Sequence, residues 1–184
     1  MEKKTKNKVL KESFNTALYF LFVFAVTALV LKYVGQRSVV EGDSMFGTLY
    51  DGESVWVNKF TYRISDPERF DIIVFPYEYQ EDTYFIKRII GLPGETVYID
   101  EAGNIYINGE LLEENYGYEV IKPDCRGLAA TEVVVGEDEY FVMGDNRNNS
   151  MDSRYNNVGN IPREKIIGKA VFRLFPLKSF GGIY

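Results

Sequence analysis

The sequence predicts a mainly β fold: an antiparallel β-sheet core, a smaller inserted β lobe, and one N-terminal transmembrane helix ahead of both. Three observations support this prediction. One uncharged apolar run, residues 14–31, is long enough for a spanning helix. Beyond residue 37, short runs rich in isoleucine, valine and aromatic residues alternate with turn formers. Within residues 96–139, two tight-turn signals interrupt such runs, which is typical of β-hairpins.

The N-terminal helix is expected to anchor the chain in a cell membrane as a single pass. Residues 14–31 as a helix would span about 27 Å, close to the hydrocarbon thickness of a bilayer. Five lysines in the polar tail, residues 1–12, predict a cytoplasmic N-terminus and an extracytoplasmic body. The alternatives are a cleavable signal peptide and a buried helix. Lys32 follows the run directly and no small-residue cleavage site does, which favours an anchor over residues 13–34.

The β core is predicted over residues 35–95 and 140–184, and the inserted lobe over residues 96–139. The predicted strands of the core are 54–58, 71–75, 84–90, 140–143 and 166–175. Those of the insert are 96–100, 105–107 and 132–136, with turns at 101–104 and 108–109. Residues 110–126 are polar and ambiguous. We expect the insert to be mostly exposed to solvent and to contribute little to function.

Composition excludes several kinds of chemistry. The chain contains no histidine, which rules out Ser-His-Asp, Cys-His and HExxH zinc sites. A nucleophilic serine would then need a carboxylate or a lysine as its base. Residues 1–13 carry a net charge of +3 and the remainder −9, and such an acidic body argues against a nucleic acid partner. Cys125 is the single cysteine, so no intrachain disulfide forms, and we interpret it as structural.

Ser44 is the candidate nucleophile. Turn formers surround it, Gly42 and Asp43 before it and Gly47 after it, and such a turn can point a hydroxyl away from the backbone. The alternative is a turn serine that bonds its own backbone. Ser44 follows residue 31 by 13 residues, at most about 45 Å of extended chain, so it is expected near the outer membrane face.

Lys87 is the candidate base. A lysine can act as a base when burial among apolar groups lowers its pKa from about 10.4 to near 7–8. Lys87 lies in the apolar run 84–90, on one strand face with Phe85 and Ile89, while Arg88 takes the other face. The alternative is a strand-edge lysine whose amine reaches water.

Residues 144–154, which read GDNRNNSMDSR, form a loop dense in polar groups. Acidic and basic residues alternate along it, so they could pair locally and set the shape of the loop. The alternative is an ordinary solvated surface loop. The four charged residues are Asp145, Arg147, Asp152 and Arg154.

With these features the sequence resembles the bacterial type I signal peptidases, in the compact form found in Gram-positive bacteria. The resemblance is carried in order by four blocks, residues 42–49, 69–75, 84–94 (YFIKRIIGLPG) and 144–154. It implies a largely β fold behind a membrane anchor, and a Ser-Lys dyad with Ser44 as nucleophile and Lys87 as general base. No metal or other cofactor is implied. Ser150 is implied to orient the lysine, and the four charged residues of the loop to keep the site in shape.

The substrates implied by the resemblance are preproteins leaving the protein secretion channel, cut after a small residue that has another small residue two positions earlier. An extended substrate would add as a strand beside Ser44 or Lys87, over shallow apolar pockets. The lipid bilayer would hold the signal peptide and the anchor together. The positions that match the pockets and the nearby backbone are Val40, Gly42, Met45, Leu49, Phe85 and Ile86.

The chain departs from the family pattern at several positions. Gly47 stands where proline is usual, which puts the rigidity of the serine turn in question, and Phe70 stands where glycine is usual. Asn148 occupies a position where acid or amide both occur. Gly42 offers no hydroxyl to an oxyanion hole, so the Ser44 backbone N–H is the expected donor. Two alternatives stay open: a homologue that binds preproteins without cutting them, and a Ser-Lys peptidase of the self-cleaving repressor type.

Overall fold

The computed structural model describes residues 2–183, and side chains from Lys11 onward. The chain begins with a long helix, α1, at Glu2–Tyr33. Within its part from Lys11 to Tyr33, an 18-residue stretch has a mean hydropathy of 2.1 and none of it is buried inside the protein. By length and composition this is a helix that could cross a membrane. Four of the five lysine side chains in the predicted cytoplasmic tail lie outside the described residues, at positions 3, 4, 6 and 8.

Everything after α1 is mainly β, as the sequence predicts. A second, single-turn helix, α2, occupies Thr61–Ile64. The strands within residues 2–183 are β1 (Gly35–Val39), β2 (Ser54–Asn58), β3 (Ile72–Pro76), β4 (Tyr84–Gly91), β5 (Thr96–Ile99), β6 (Ile105–Ile107), β7 (Glu110–Leu111), β8 (Val133–Val134), β9 (Glu139–Met143), β10 (Ile161–Pro162), β11 (Gly168–Phe175) and β12 (Gly181–Gly182).

The larger sheet is antiparallel and positions the site. Its strands run in the order β1-β2-β11-β3-β4-β9-β10, with β12 paired to β11. β1 begins two residues after α1 ends, so the helix feeds directly into the edge of this sheet. The connection from β1 to β2 carries Ser44, and β4 carries Lys87. Antiparallel pairing of β3 with β4 sets Lys87 opposite Ile73 in the middle of the sheet.

The second sheet runs in the order β7-β6-β5-β8 and belongs to residues 96–134. The hairpin predicted around residues 101–104 joins β5 to β6, and the turn at residues 108–109 joins β6 to β7. The expectation of a mostly exposed insert is wrong for one face, because the sheet shares a buried core with strands β4 and β9. The members of that core are Ile90, Val97, Ile99, Ile105, Ile107, Ile121, Ala129, Val135, Phe141 and Met143.

Residues 110–131, which gave no sequence pattern, form an extended path with two short 3-10 helices, Pro123–Cys125 and Gly127–Ala130. This path runs back against the loop after β9, where Leu128 N–H donates to Arg154 O at 2.8 Å. Its two core residues, Ile121 and Ala129, lie eight positions apart, which leaves no apolar periodicity to read. The path therefore brings part of the insert to the same end of the molecule as Ser44.

Candidate active site

The turn that carries Ser44 is fixed by backbone hydrogen bonds. Leu49 N–H donates to Met45 O at 2.8 Å, and Asn146 N–H donates to Ser44 O at 3.0 Å. The Asn146 side chain donates to Asp43 O at 2.9 Å, so the loop after β9 holds the turn from a second point. Among residues 2–183 the Ser44 N–H has no hydrogen-bond acceptor. That N–H is therefore not used by the fold, and its role as an oxyanion donor stays a prediction.

Lys87 meets Ser44 inside the protein. Lys87 Nζ lies 2.8 Å from Ser44 Oγ and donates to Ile86 O at 2.9 Å. The residue is 3% exposed, so this is not a strand-edge lysine that reaches water. Burial lowers the pKa of Lys87 to about 8, against the opposing pull of the carboxylates of Asp152 and Asp145.

Each of those two carboxylates is neutralised by an arginine of its own. Arg88 Nη2 lies 2.7 Å from Asp145 Oδ2, and Arg154 Nε lies 2.8 Å from Asp152 Oδ1. Both pairs are almost fully buried. Because each negative charge is already paired, its field at the lysine is reduced, and desolvation decides the direction of the shift.

An open groove of about 540 Å³ runs past the serine and the lysine. Its two sides are residues 38–44 and 82–87. On the second side, residues 84–87 of β4 pair with β3, whereas β9 pairs only from Arg88 onward. One backbone edge of β4 is therefore open beside Lys87, which is the geometry that accepts an extended peptide as an added strand.

The residues matched to substrate pockets divide into two sets. Val40, Gly42, Phe85 and Ile86 line the groove. Met45 and Leu49 do not: they are 1% and 0% exposed and belong to the core cluster beneath it. The structure adds Val55 and Val74 to the lining, two residues of predicted strands that were not matched to a pocket.

The expectation of local pairing in the loop 144–154 holds for one pair only, Asp152 with Arg154. The other two charged residues of the loop find partners elsewhere in the chain. Asp145 binds Arg88 of β4, and Arg147 Nη1 lies 2.7 Å from Glu114 Oε1. The two arginines of these pairs, Arg88 and Arg147, are buried, and a buried arginine requires a carboxylate in reach.

Ser150 lies close to the serine turn. A Cβ placed on Gly144 would come within 2.3 Å of both Ser150 Oγ and Ser44 O, so only glycine permits this approach. Ser150 Oγ is buried and has no hydrogen-bond partner within residues 11–183, Lys87 included. Its orienting role therefore stays a prediction.

Sequence reasoning did not find the partners of Asp145. Besides Arg88, Asp145 accepts a hydrogen bond from Thr48 Oγ1 at 2.5 Å. Arg88 also donates to Phe70 O at 2.9 Å, and its guanidinium lies 3.8 Å from the centre of the Tyr116 ring. A signal existed for Arg88, since a charged residue inside an apolar strand implies a buried partner.

The two main departures from the family pattern share one backbone feature. Gly47 has a φ of +99° and Phe70 a φ of +73°. Phe70 thus keeps a left-handed conformation that glycine adopts freely, at a cost of roughly 1–2 kcal/mol. Its ring packs on Tyr116, with the ring centres 5.0 Å apart. Proline, whose φ is fixed near −65°, could not occupy position 47 in this backbone.

Comparison with known proteins identifies relatives of this chain. A family model described as signal peptidase, peptidase S26, matches residues 13–175. A probable signal peptidase I-2 from Synechocystis sp. is 40% identical over 166 residues, which cover 85% of this chain and 72% of that protein. Signal peptidase I T from Bacillus subtilis is 38% identical over 188 residues, covering 97% and 96%.

A crystal structure of a signal peptidase I from Enterococcus faecalis is 35% identical and covers 58% of this chain and 97% of that one, with a TM-score of 0.45. The family and sequence matches place the chain among the serine peptidases, which are hydrolases. It belongs to the signal peptidase family, peptidase S26. The resemblance drawn from the four sequence blocks is confirmed.

Proposed function

We propose that this chain is a membrane-anchored endopeptidase that removes signal peptides from secreted preproteins on the outer face of the cytoplasmic membrane. Ser44 is the nucleophile and Lys87 the general base. One observation carries the proposal: a serine hydroxyl 2.8 Å from a buried lysine amine, beside a groove with an open strand edge. A carboxylate could not replace Lys87 as the base, because the two buried carboxylates next to it are held by arginines.

The reaction passes through an acyl-enzyme. Neutral Lys87 takes the proton of Ser44 Oγ as the oxygen attacks the scissile carbonyl carbon, and the oxyanion forms at the Ser44 N–H. The protonated lysine then gives its proton to the leaving amine as the peptide bond breaks. A water molecule, deprotonated by the same amine, attacks the ester, and Ser44 recovers its proton as the product acid leaves.

The supporting residues act by holding the dyad. Asp145 accepts a hydrogen bond from Thr48 Oγ1 in the serine turn. Asp152 accepts one from the Gly144 N–H at 3.0 Å, at the start of the loop after β9. The orienting role that the resemblance implies for Ser150 would require its hydroxyl to turn toward Lys87, since it makes no hydrogen bond to the lysine here. The substrate adds to the open edge of β4, with small side chains over Val40 and Ile86.

The anchor places this site beside its substrates. α1 enters β1 without a linker, and the serine turn follows β1 directly, so the groove lies close to the end of the helix. A preprotein held in the same bilayer by its own apolar segment is concentrated at the site by that shared membrane. In this proposal the secretion channel delivers the preprotein to the site, and the basic tail of residues 1–12 stays in the cytoplasm.

The proposal is tested by incubating the purified full chain in lipid vesicles with a preprotein, and sequencing the N-terminus of the product. Wild type is expected to yield one mature chain, cut after a small residue, whereas Ser44→Ala yields none. Cutting at scattered sites, or equal cutting by Ser44→Ala, would refute the proposal. Binding of the preprotein without any cleavage would favour the non-catalytic homologue instead.

A further inference from the structure

A segment of the insert lies across the loop after β9, and we call residues 114–122 the strap. The Asn148 side chain joins the loop to the strap at one end. It accepts from the Lys122 N–H at 2.8 Å and donates to Val120 O at 2.9 Å. At the other end Glu114 pairs with Arg147. The strap is therefore fixed to the loop 144–154 along its length.

Tyr118, in the middle of the strap, reaches the serine turn. Its N–H donates to Asp145 O at 2.8 Å, which fixes its backbone. Its ring meets the Phe46 ring edge to face, with the centres 4.7 Å apart and the planes at 88°. A Cβ built on Gly47 would lie 3.4 Å from Tyr118 Cδ2, so the same ring also covers Gly47.

Gly47 is a point of backbone freedom in this turn, on the C-terminal side of Ser44. Its φ of +99° lies in the region that favours glycine, and glycine supplies no side chain to hold the conformation. Ser44 is only three residues away, and its hydroxyl must stay within hydrogen-bond reach of Lys87. Backbone hydrogen bonds fix the turn on either side of Gly47, and a ring packed over Gly47 adds a restraint at the glycine itself.

We propose that Tyr118 is a positioning residue, whose ring restrains the turn at Phe46 and Gly47 and so holds Ser44 Oγ at Lys87 Nζ. The inference rests on the proposed function, in which Ser44 is the nucleophile. Tyr118 acts through the turn and not on the substrate, because it is not among the residues that line the groove. The ring carries the effect: the Tyr118 hydroxyl makes no hydrogen bond within residues 11–183.

This placement predicts a fall in kcat with little change in KM. A misplaced nucleophile slows the chemical step, whereas the groove that binds the substrate is untouched. Tyr118→Ala is expected to lower kcat about tenfold and to leave KM within about twofold of wild type. Tyr118→Phe keeps the ring and should restore kcat. Tyr98→Ala is the control for the loss of a tyrosine ring contact elsewhere, since Tyr98 contacts Tyr106 on the second sheet with the ring centres 5.9 Å apart.

The experiment measures kcat and KM of the full chain in detergent micelles, on a peptide that contains a signal-peptide cleavage site. Phe46→Ala and the double variant with Tyr118→Ala are measured alongside. Both changes remove the Phe46–Tyr118 ring contact, and Phe46→Ala also removes a contact to Tyr50, so the double variant should be about as slow as Phe46→Ala alone. The two single variants test whether the ring contact affects kcat, and the double variant tests whether the two rings act as one unit.

If the kcat of Tyr118→Ala is within twofold of the wild-type value, the inference is overturned. So would an equal loss in Tyr98→Ala, or a double variant whose loss is the product of the two single losses. These failures differ from failure of the proposed function, which would appear as an inactive wild type or an active Ser44→Ala in the same assay.

Discussion

Lys87→Met is expected to lower kcat/KM for a preprotein by more than about a thousandfold, and Ser44→Ala by as much. Methionine fills nearly the same volume as lysine and suits the buried site, so the fold is retained while the base is lost. Single-turnover cleavage of a labelled preprotein measures the loss. The two changes disable one unit, so the double variant should be no less active than either single variant.

Lys169→Met is a suitable control for the loss of a lysine. Lys169 lies on β11 and forms an ion pair with Asp71. Its side chain is about one-third exposed and does not line the groove. Its replacement should leave kcat/KM within about threefold of wild type. A Lys87→Met variant that kept a tenth or more of wild-type activity would mean that another group accepts the Ser44 proton.

Arg88→Met is expected to give the largest loss of stability, about 3–5 kcal/mol in the free energy of unfolding. Arg88 and Asp145 are 1% and 0% exposed at their side chains, so removing the arginine leaves a carboxylate charge buried without its cation. Denaturant unfolding in detergent measures the change. Because Asp145 also accepts from Thr48 beside Ser44, activity should fall together with stability.

Two further variants show whether the loss of stability is specific to the buried Arg88–Asp145 pair or follows from the loss of any ion pair. Lys165→Met removes an exposed pair with Glu78 and should change the free energy of unfolding by less than about 1 kcal/mol. The double variant Arg88→Met with Asp145→Asn removes both buried charges and should recover part of the loss. A loss below about 1 kcal/mol for Arg88→Met itself would contradict the description of this pair.

The sequence predicted the fold well where the pattern is local. Strands such as β2 and β6 are short apolar runs between turn formers, and their observed bounds match the predicted ones. Lys87 was predicted as the base from a local pattern as well, since alternation along its strand places it on an apolar face. Period-2 burial and turn chemistry are properties of neighbouring residues, and sequence reasoning reads them directly.

Long-range pairings were the part that could not be predicted. The partners of Asp145 and Arg147 are 57 and 33 residues away, at Arg88 and Glu114, so no local pattern identifies them. The strap was missed for a related reason. Its contacts with the loop after β9 are hydrogen bonds of the backbone and of Asn148 and the Glu114–Arg147 ion pair, and these polar contacts leave no hydrophobic period in residues 110–126.

The central claim is that the neutral amine of Lys87 is the base, and the pH dependence of kcat/KM for the wild type tests it most directly. Below its pKa the lysine is protonated and cannot take the Ser44 proton, so activity must rise with pH. Since burial lowers the pKa of Lys87 to about 8, kcat/KM should rise through an apparent pKa near 8 and level off above it. A profile flat from pH 6 to 9, or one that rises only as free lysine titrates, would contradict the claim.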